Sequence, residues 1–171
     1  MSNLSTESVS LVTKDQLLSI IQAQSDIIGG GLNLTQVMQK MAMLAEQLTF
    51  ASGAVVEMLD GDEMVYRAAT GKAQSRLGMR LHKDSSLSGL CIKENQVLNC
   101  RDANQDPRVD RQACQAVGLQ SMLVVPLKYA DQVVGVIKVF SIKTDSFDEV
   151  DAQILTMAAE IISAAMHSLT K

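Results

Sequence analysis

The chain has 171 residues, 47% of them hydrophobic, and a formal net charge of −4, which suits one domain with a real core and leaves no room for a second. Its positive charges are scattered singly, and aromatics make up only 3% with no Trp. That excludes the basic footprint of a nucleic-acid binder and the stacking platform of a base or sugar binder.

Met1–Lys14 is rich in Ser and Thr and has neither a basic start nor an apolar run. It reads as a flexible tail and not as a signal peptide. No stretch approaches ~18 consecutive apolar residues, so no spanning helix is expected. Cys91, Cys100 and Cys114 form an odd set without a CxxC, which argues against structural disulfides and for a cytoplasmic protein. His82 and His167 share no finger-like spacing with these cysteines, so no metal site is expected, and nothing calls for a cofactor.

Leu17, Ile20, Ile21, Ile27 and Ile28 recur at helical intervals up to Gly29-Gly30-Gly31, predicting a first helix followed by a hinge. A second helix follows on the stripe Leu34, Val37, Met38, Met41, Ala42, Ala45 and Leu48, with Asn33 or Thr35 as its cap. The pattern then changes to strands. Ala54–Leu59 and Met64–Ala69 flank Asp60-Gly61-Asp62, a hairpin signal.

A second pair, Ser121–Lys128 and Gln132–Ile142, surrounds Tyr129-Ala130-Asp131. Its later strand is apolar on both faces, Val133, Ile137 and Val139 on one and Val134, Val136 and Phe140 on the other. A central position, covered on both sides, is expected. Ser146–Leu169 reads as a long closing helix with Ser146 as cap and Asp148, Glu149 and Asp151 in its first turns. It carries two apolar stripes, so one stripe is expected to meet the first helix or a partner subunit. Antiparallel strand pairs with helices at the chain ends predict an α+β domain around a central antiparallel sheet.

Between the hairpins lies the least regular segment. Ser85-Ser86 looks like a cap for a helix over Leu87–Lys93, and Asp106 is placed to cap a turn opened by Pro107, with helix from Arg108 to Val117 before Gly118. Two short helices over a sheet make this stretch a lid candidate. Catalytic patterns are absent: the serines form no GxSxG elbow, the glycines at 29–31 form no phosphate loop, and only His82 could serve a cysteine nucleophile.

Several strings in this part of the chain carry a resemblance: Gly89 in "SLSGL", "DANQDPR" with Asp102, Asp106, Pro107 and Arg108, Gly118 before "SMLVVPL", Gly135 in "VVGVIKV", and Phe147 with Asp151 in "FDEVDAQIL". Their order and types resemble the core of a GAF domain, the sensory module of bacterial histidine kinases, diguanylate cyclases and phosphodiesterases. The resemblance runs from about Asp15 to the end, so the chain divides into a tail, 1–14, and a single GAF-like domain, 15–171. It implies a GAF/PAS-like sheet of about six strands, with the N- and C-terminal helices on one face and a short-helix and loop lid on the other.

It further implies a non-catalytic sensor that binds a small molecule under the lid and signals through terminal-helix packing in a homodimer. The effector would be an attached or separate protein such as a kinase or a diguanylate cyclase. The implied ligand-binding residues are Cys91, Asp102, Asp106, Arg108, Cys114 and Ser121. Other roles remain open for some of them: Asp102 and Arg108 as a structural ion pair, Cys91 and Cys100 as core residues, and Cys114 as a redox-responsive thiol whose pKa Arg108 and Arg111 would lower.

Phe140-Ser141 stands where cyclic-nucleotide GAF domains carry Asn-Lys, no Cys-His dipeptide serves a bilin, and His82 is the one candidate for haem. Two alternatives accompany the sensor. One is a free methionine (R)-sulfoxide reductase, because Cys114 and Cys91 sit near the catalytic and resolving positions of that branch; Leu81 near its third cysteine and Ser121-Met122 in place of its Ser-Glu pair depart from it. The other is a ligand-free dimerisation scaffold.

Overall fold

Reciprocal caps start both N-terminal helices. In the computed structural model, which describes residues 11–169, the Thr13 hydroxyl accepts the Gln16 amide at 3.2 Å while Gln16 Oε1 accepts the Thr13 amide at 2.8 Å. Helix α1 then runs Lys14–Gly30. Lys14, the last residue of the expected tail 1–14, is thus already helical, and residues 1–10 lie outside the described residues. Asn33 and Gln36 repeat the arrangement for α2, Leu34–Thr49. Each box satisfies two amides that the helix itself cannot.

Six strands follow in one antiparallel sheet: β1 Gly53–Asp60, β2 Glu63–Ala69, β3 Arg80–His82, β4 Leu98–Cys100, β5 Ser121–Tyr129 and β6 Gln132–Ser141. Their order is β3-β2-β1-β6-β5-β4, so the last strand is inserted beside the first and is central, as its two-sided apolar pattern predicts. Val134 departs from that pattern. Leu127 pairs with Gly135 and Lys128 with Val133, leaving Val134 as the extra residue of a bulge, and it packs with the helix-side core instead of beside Val136 and Phe140.

The sheet separates two cores. On one face α1, α2 and α5 (Glu149–Leu169) cover Ala54, Val56, Leu123, Val125, Ile137 and Val139. On the other, α3 (Leu87–Glu94), α4 (Arg111–Val117) and their loops cover Val55, Met64, Val124, Val136 and Phe140. This is an α+β domain with terminal helices on one face and a short-helix lid on the other.

Helix α5 buries most of both stripes within the chain, chiefly against α2 and β5, and touches α1 less; Val150 is half-buried and Leu169 exposed. Its start also differs from expectation. Ser146 Oγ donates to the Lys143 carbonyl, whereas Asp148 and Asp151 accept each other's backbone amides at 3.1 and 2.9 Å. Carboxylates accept amides better than a hydroxyl does, so the cap falls two residues later.

Candidate ligand pocket

Three polar side chains stand on the lid face of the central strands. Glu57 on β1 pairs in register with Tyr66 on β2, and Val55, two residues before Glu57, pairs with Lys138 on β6. Strand alternation therefore aims Glu57 and Lys138 to the same side, one diagonal step apart. Lys138 Nζ lies 3.2 Å from Glu57 Oε2 and donates to Tyr66 Oη at 2.8 Å. The ammonium also sits 4.8 Å from the Tyr66 ring centroid.

Glu57 is 0% exposed and Lys138 4%. Burial alone would push the Lys138 ammonium down, but Glu57 and Tyr66 hold it above the ordinary lysine value. Burial pushes the Tyr66 phenol up. The two side chains form a buried ion pair by geometry, held in a largely apolar layer.

The lid reaches this cluster through α3. Ser86 caps that helix, its hydroxyl accepting the Gly89 amide at 3.1 Å, and Ser88 Oγ donates to Glu57 Oε2 at 2.6 Å. A side chain at Gly89 would collide with the Lys83 carbonyl, so glycine is what lets the first turn of α3 press onto the preceding loop. Gly135 serves the sheet likewise, since a Cβ there would meet the Glu57 carbonyl. Glu57 Oε1 is the one buried side-chain polar atom among the described residues that has no hydrogen-bond partner.

Between sheet and lid remains a cavity of about 20 Å3 bounded by Tyr66, Lys138, Ser86, Ser88, Asp110 and Cys114, with Leu81, Leu87, Leu119 and Met122 as apolar walls. That is room for about one water. A larger guest requires the lid to move. Helix α4 is the element suited to move, because Cys114 alone of its seven residues is buried.

Of the six residues implied by sequence, Cys114 alone borders this cavity. Cys91 is a buried residue of α3 and its thiol donates to the Gln96 carbonyl at 3.1 Å. Asp102 accepts the Asn104 amide at 3.0 Å in the loop before Pro107. Ser121 is fully buried at the start of β5, donating to the Lys143 carbonyl at 2.6 Å.

Asp106 and Arg108 form their own unit, with contacts of 2.9 and 2.7 Å between guanidinium and carboxylate. Arg108 also donates to the Asn99 carbonyl, which ties the loop to β4. The ion-pair partner of Arg108 is therefore Asp106 and not Asp102. Asp106 caps the turn that Pro107 opens, as expected, its Oδ1 accepting the Arg108 amide, but helix does not start at Arg108: Asp110 caps α4, which begins at Arg111. Arg108 holds the Asp106 carboxyl down at about 2.

The thiols behave as buried groups. Burial raises Cys91 and Cys100 to about 12, with Glu57 adding to the first and Asp106 to the second. Cys114 also lies above the ordinary thiol value through burial, Lys138 opposing. Arg108 and Arg111 do not activate it, because the one is engaged by Asp106 and the other donates to the Asn104 carbonyl. Among the described residues no group of three or more His, Cys, Asp and Glu could hold a metal ion.

The polar residues of this pocket that sequence reading passed over are Tyr66, Ser88, Asp110 and Lys138, with Glu57 bonded to Lys138 and Ser88. A signal existed: a lone charge interrupts each of the apolar strands "AVVEML" and "VVGVIKVF", and a charge buried in a central strand needs a partner.

A GAF domain family model matches residues 31–167. The chain belongs to the GAF domain family. Solved structures agree on the GAF fold. A putative GAF sensor protein from Burkholderia vietnamiensis is 22% identical, with 91% of this chain and 96% of that one covered at a TM-score of 0.78. The GAF domain of a phosphoenolpyruvate-protein phosphotransferase from Coxiella burnetii gives 19% identity, 91% and 95% coverage and 0.78. A free methionine-R-sulfoxide reductase from Neisseria meningitidis, in complex with its substrate, gives 17%, 94% and 97%, and 0.77. No curated protein matches the sequence. Sensor and enzyme neighbours alike share the GAF fold with this chain, and at these identities the likeness speaks for the fold alone.

Proposed function

We propose that this GAF domain is a non-catalytic sensor that takes a small molecule between its sheet and the segment Ser86–Val117 and passes the change to its terminal helices. The observation that carries the reading is the polar cavity beneath α3 and α4, where Tyr66, Lys138, Ser86 and Ser88 converge inside an otherwise apolar layer. Buried polar convergence in a concave site favours recognition over packing. Opening α4 on binding would shift populations of lid states. Cys114 is the implied ligand contact that fits; Asp106 and Arg108 would act on the outer loop. Native mass spectrometry of freshly purified protein tests this, with a retained small molecule expected. Apo mass alone under every condition would leave a ligand-free dimerisation scaffold.

The proposed output is a cytoplasmic homodimer through α1 and α5, acting on an effector such as a kinase or a diguanylate cyclase. Its support is an exposed apolar seam on α1, Leu18, Ile21 and Ile28 at 56, 55 and 81% exposure, with a–d spacing of a coiled coil. A groove of about 440 Å3 continues the seam between α1 and the end of α5, lined by Ile27, Leu32, Ile161 and Leu169 among others. Light scattering should give a dimer mass at micromolar concentration; a monomer at high micromolar concentration removes this output route. No described helix is long and apolar enough to cross a membrane.

The reductase reading needs a thiolate to attack the sulfoxide sulfur. Burial, which raises the Cys91 and Cys114 thiols, weighs against one. Free methionine sulfoxide with a thiol reductant is therefore expected to give no turnover; turnover dependent on Cys114 would reinstate the enzyme.

A further inference from the structure

The cavity beneath the lid is polarised. Its inner wall holds hydrogen-bond donors that the protein leaves unused. Tyr66, Ser86 and Lys138 are 3, 6 and 4% exposed and all border the space. The Tyr66 hydroxyl accepts from Lys138 and the Ser86 hydroxyl accepts from the Gly89 amide, but neither O–H meets an acceptor among the described residues. Lys138 directs its ammonium to Tyr66 and Glu57, which leaves a third N–H. A buried donor without an acceptor loses its hydration uncompensated. The outer wall has the opposite polarity. Asp110 and Ala113, at the start of α4, are half-buried in a wall whose other residues are buried, so the mouth lies there. Asp110 Oδ1 accepts the Ala113 amide, and no cation pairs with this carboxylate among the described residues. The Cys114 thiol is within electrostatic reach of both Lys138 and Asp110.

We infer that the ligand of this pocket carries an uncharged oxygen acceptor at one end and a cationic nitrogen at the other, as amino amides and amino alcohols do, the oxygen meeting Tyr66 and Ser86 and the cation meeting Asp110. The inference rests on the small-molecule reading above and adds the ligand's polarity and orientation. The existing space of about 20 Å3 admits an oxygen-sized group. The oxygen therefore enters, and the rest of the guest lies at the mouth, where α4 moves to admit it. An anionic oxygen is disfavoured inside because Glu57, 3.2 Å from Lys138, already neutralises that ammonium. At the mouth a cation gains a charge-assisted hydrogen bond from a carboxylate that has no other counterion.

Four probes of nearly one shape test it, titrated below neutral pH into the 15N-labelled protein while the amide signals of Ser88, Ala113 and Cys114 are followed. Glycinamide has both ends, propionamide the acceptor alone, isobutylammonium the cation alone, and glycine the cation with a charged acceptor. Glycinamide should shift these signals saturably and bind about tenfold tighter than each of the others, equivalent to about 1.4 kcal/mol. Asp110→Asn keeps an acceptor for the α4 cap without the charge and should bring glycinamide to the level of propionamide. Tyr66→Phe should bring it toward isobutylammonium. A role confined to packing would move all four probes alike. Should either variant lose its dispersed spectrum, the wild-type series still decides. Any of the other three binding within about twofold of glycinamide overturns the inferred polarity and leaves the sensor standing. No shift at these residues with any probe overturns both.

Discussion

Lys138→Met removes the cation paired with Glu57 while keeping an unbranched apolar stem of similar length. Glu57, 0% exposed, would then hold a carboxylate with the Ser88 hydroxyl at 2.6 Å as its remaining partner. Breaking a buried pair from one side costs about 3–5 kcal/mol, and the surviving Ser88 bond places the loss toward the lower end of that range. For a domain of this size each kcal/mol lowers Tm by about 2–4 °C, so a fall of about 6–20 °C is expected. Urea denaturation of the wild type, Lys138→Met, Glu57→Leu and the double variant gives the coupling directly. The double variant should recover most of the loss, because a buried pair replaced as a unit by apolar groups is often neutral. A loss in Lys138→Met below about 1 kcal/mol, the worth of an exposed pair, would refute the claim that this pair is desolvated. A double variant no more stable than the worse single one would refute the coupling.

Asp106→Asn tests the loop brace by pH. The wild-type carboxyl is held below the ordinary aspartate value of 3.8, at about 2, so its stabilisation is complete above pH 3.8 and fades as pH falls toward 2; the gap between wild type and variant in acid titrations should close over that window. A gap that persists unchanged at pH 2 would contradict the pairing. With Ellman's reagent at pH 8 the native protein should label slowly at Cys91, Cys100 and Cys114 and fully in denaturant, since all three thiols are buried; rapid native labelling of Cys114 would show α4 open at rest. Ile21→Glu, on the exposed side of α1, should weaken self-association in sedimentation without lowering monomer stability by more than about 0.5 kcal/mol. Asp148→Ala should cost about 1 kcal/mol by urea denaturation as the α5 cap is lost, whereas Ser146→Ala should cost a few tenths.

Sequence alone determined the parts of this protein whose causes are local. The Asn33 cap, the Asp60-Gly61-Asp62 hairpin, the two-sided β6 and the closing helix follow from side-chain types and from periods of two or 3.6 residues, and those act within a few positions. The motif order around Gly89, Asp106 and Gly135 was legible too, and with it the fold. Where two local solutions compete, sequence reading could not choose: Asp106 and Asp110 can each start a helix after Pro107, and Ser146 and Asp148 both precede α5. Only the tertiary structure decided the pocket. Glu57 and Lys138 meet because β6 inserts beside β1 and the register sets Val55 opposite Lys138. Neither fact is encoded near either residue, for a charge in an apolar strand announces that it needs a partner without saying which distant strand will supply it.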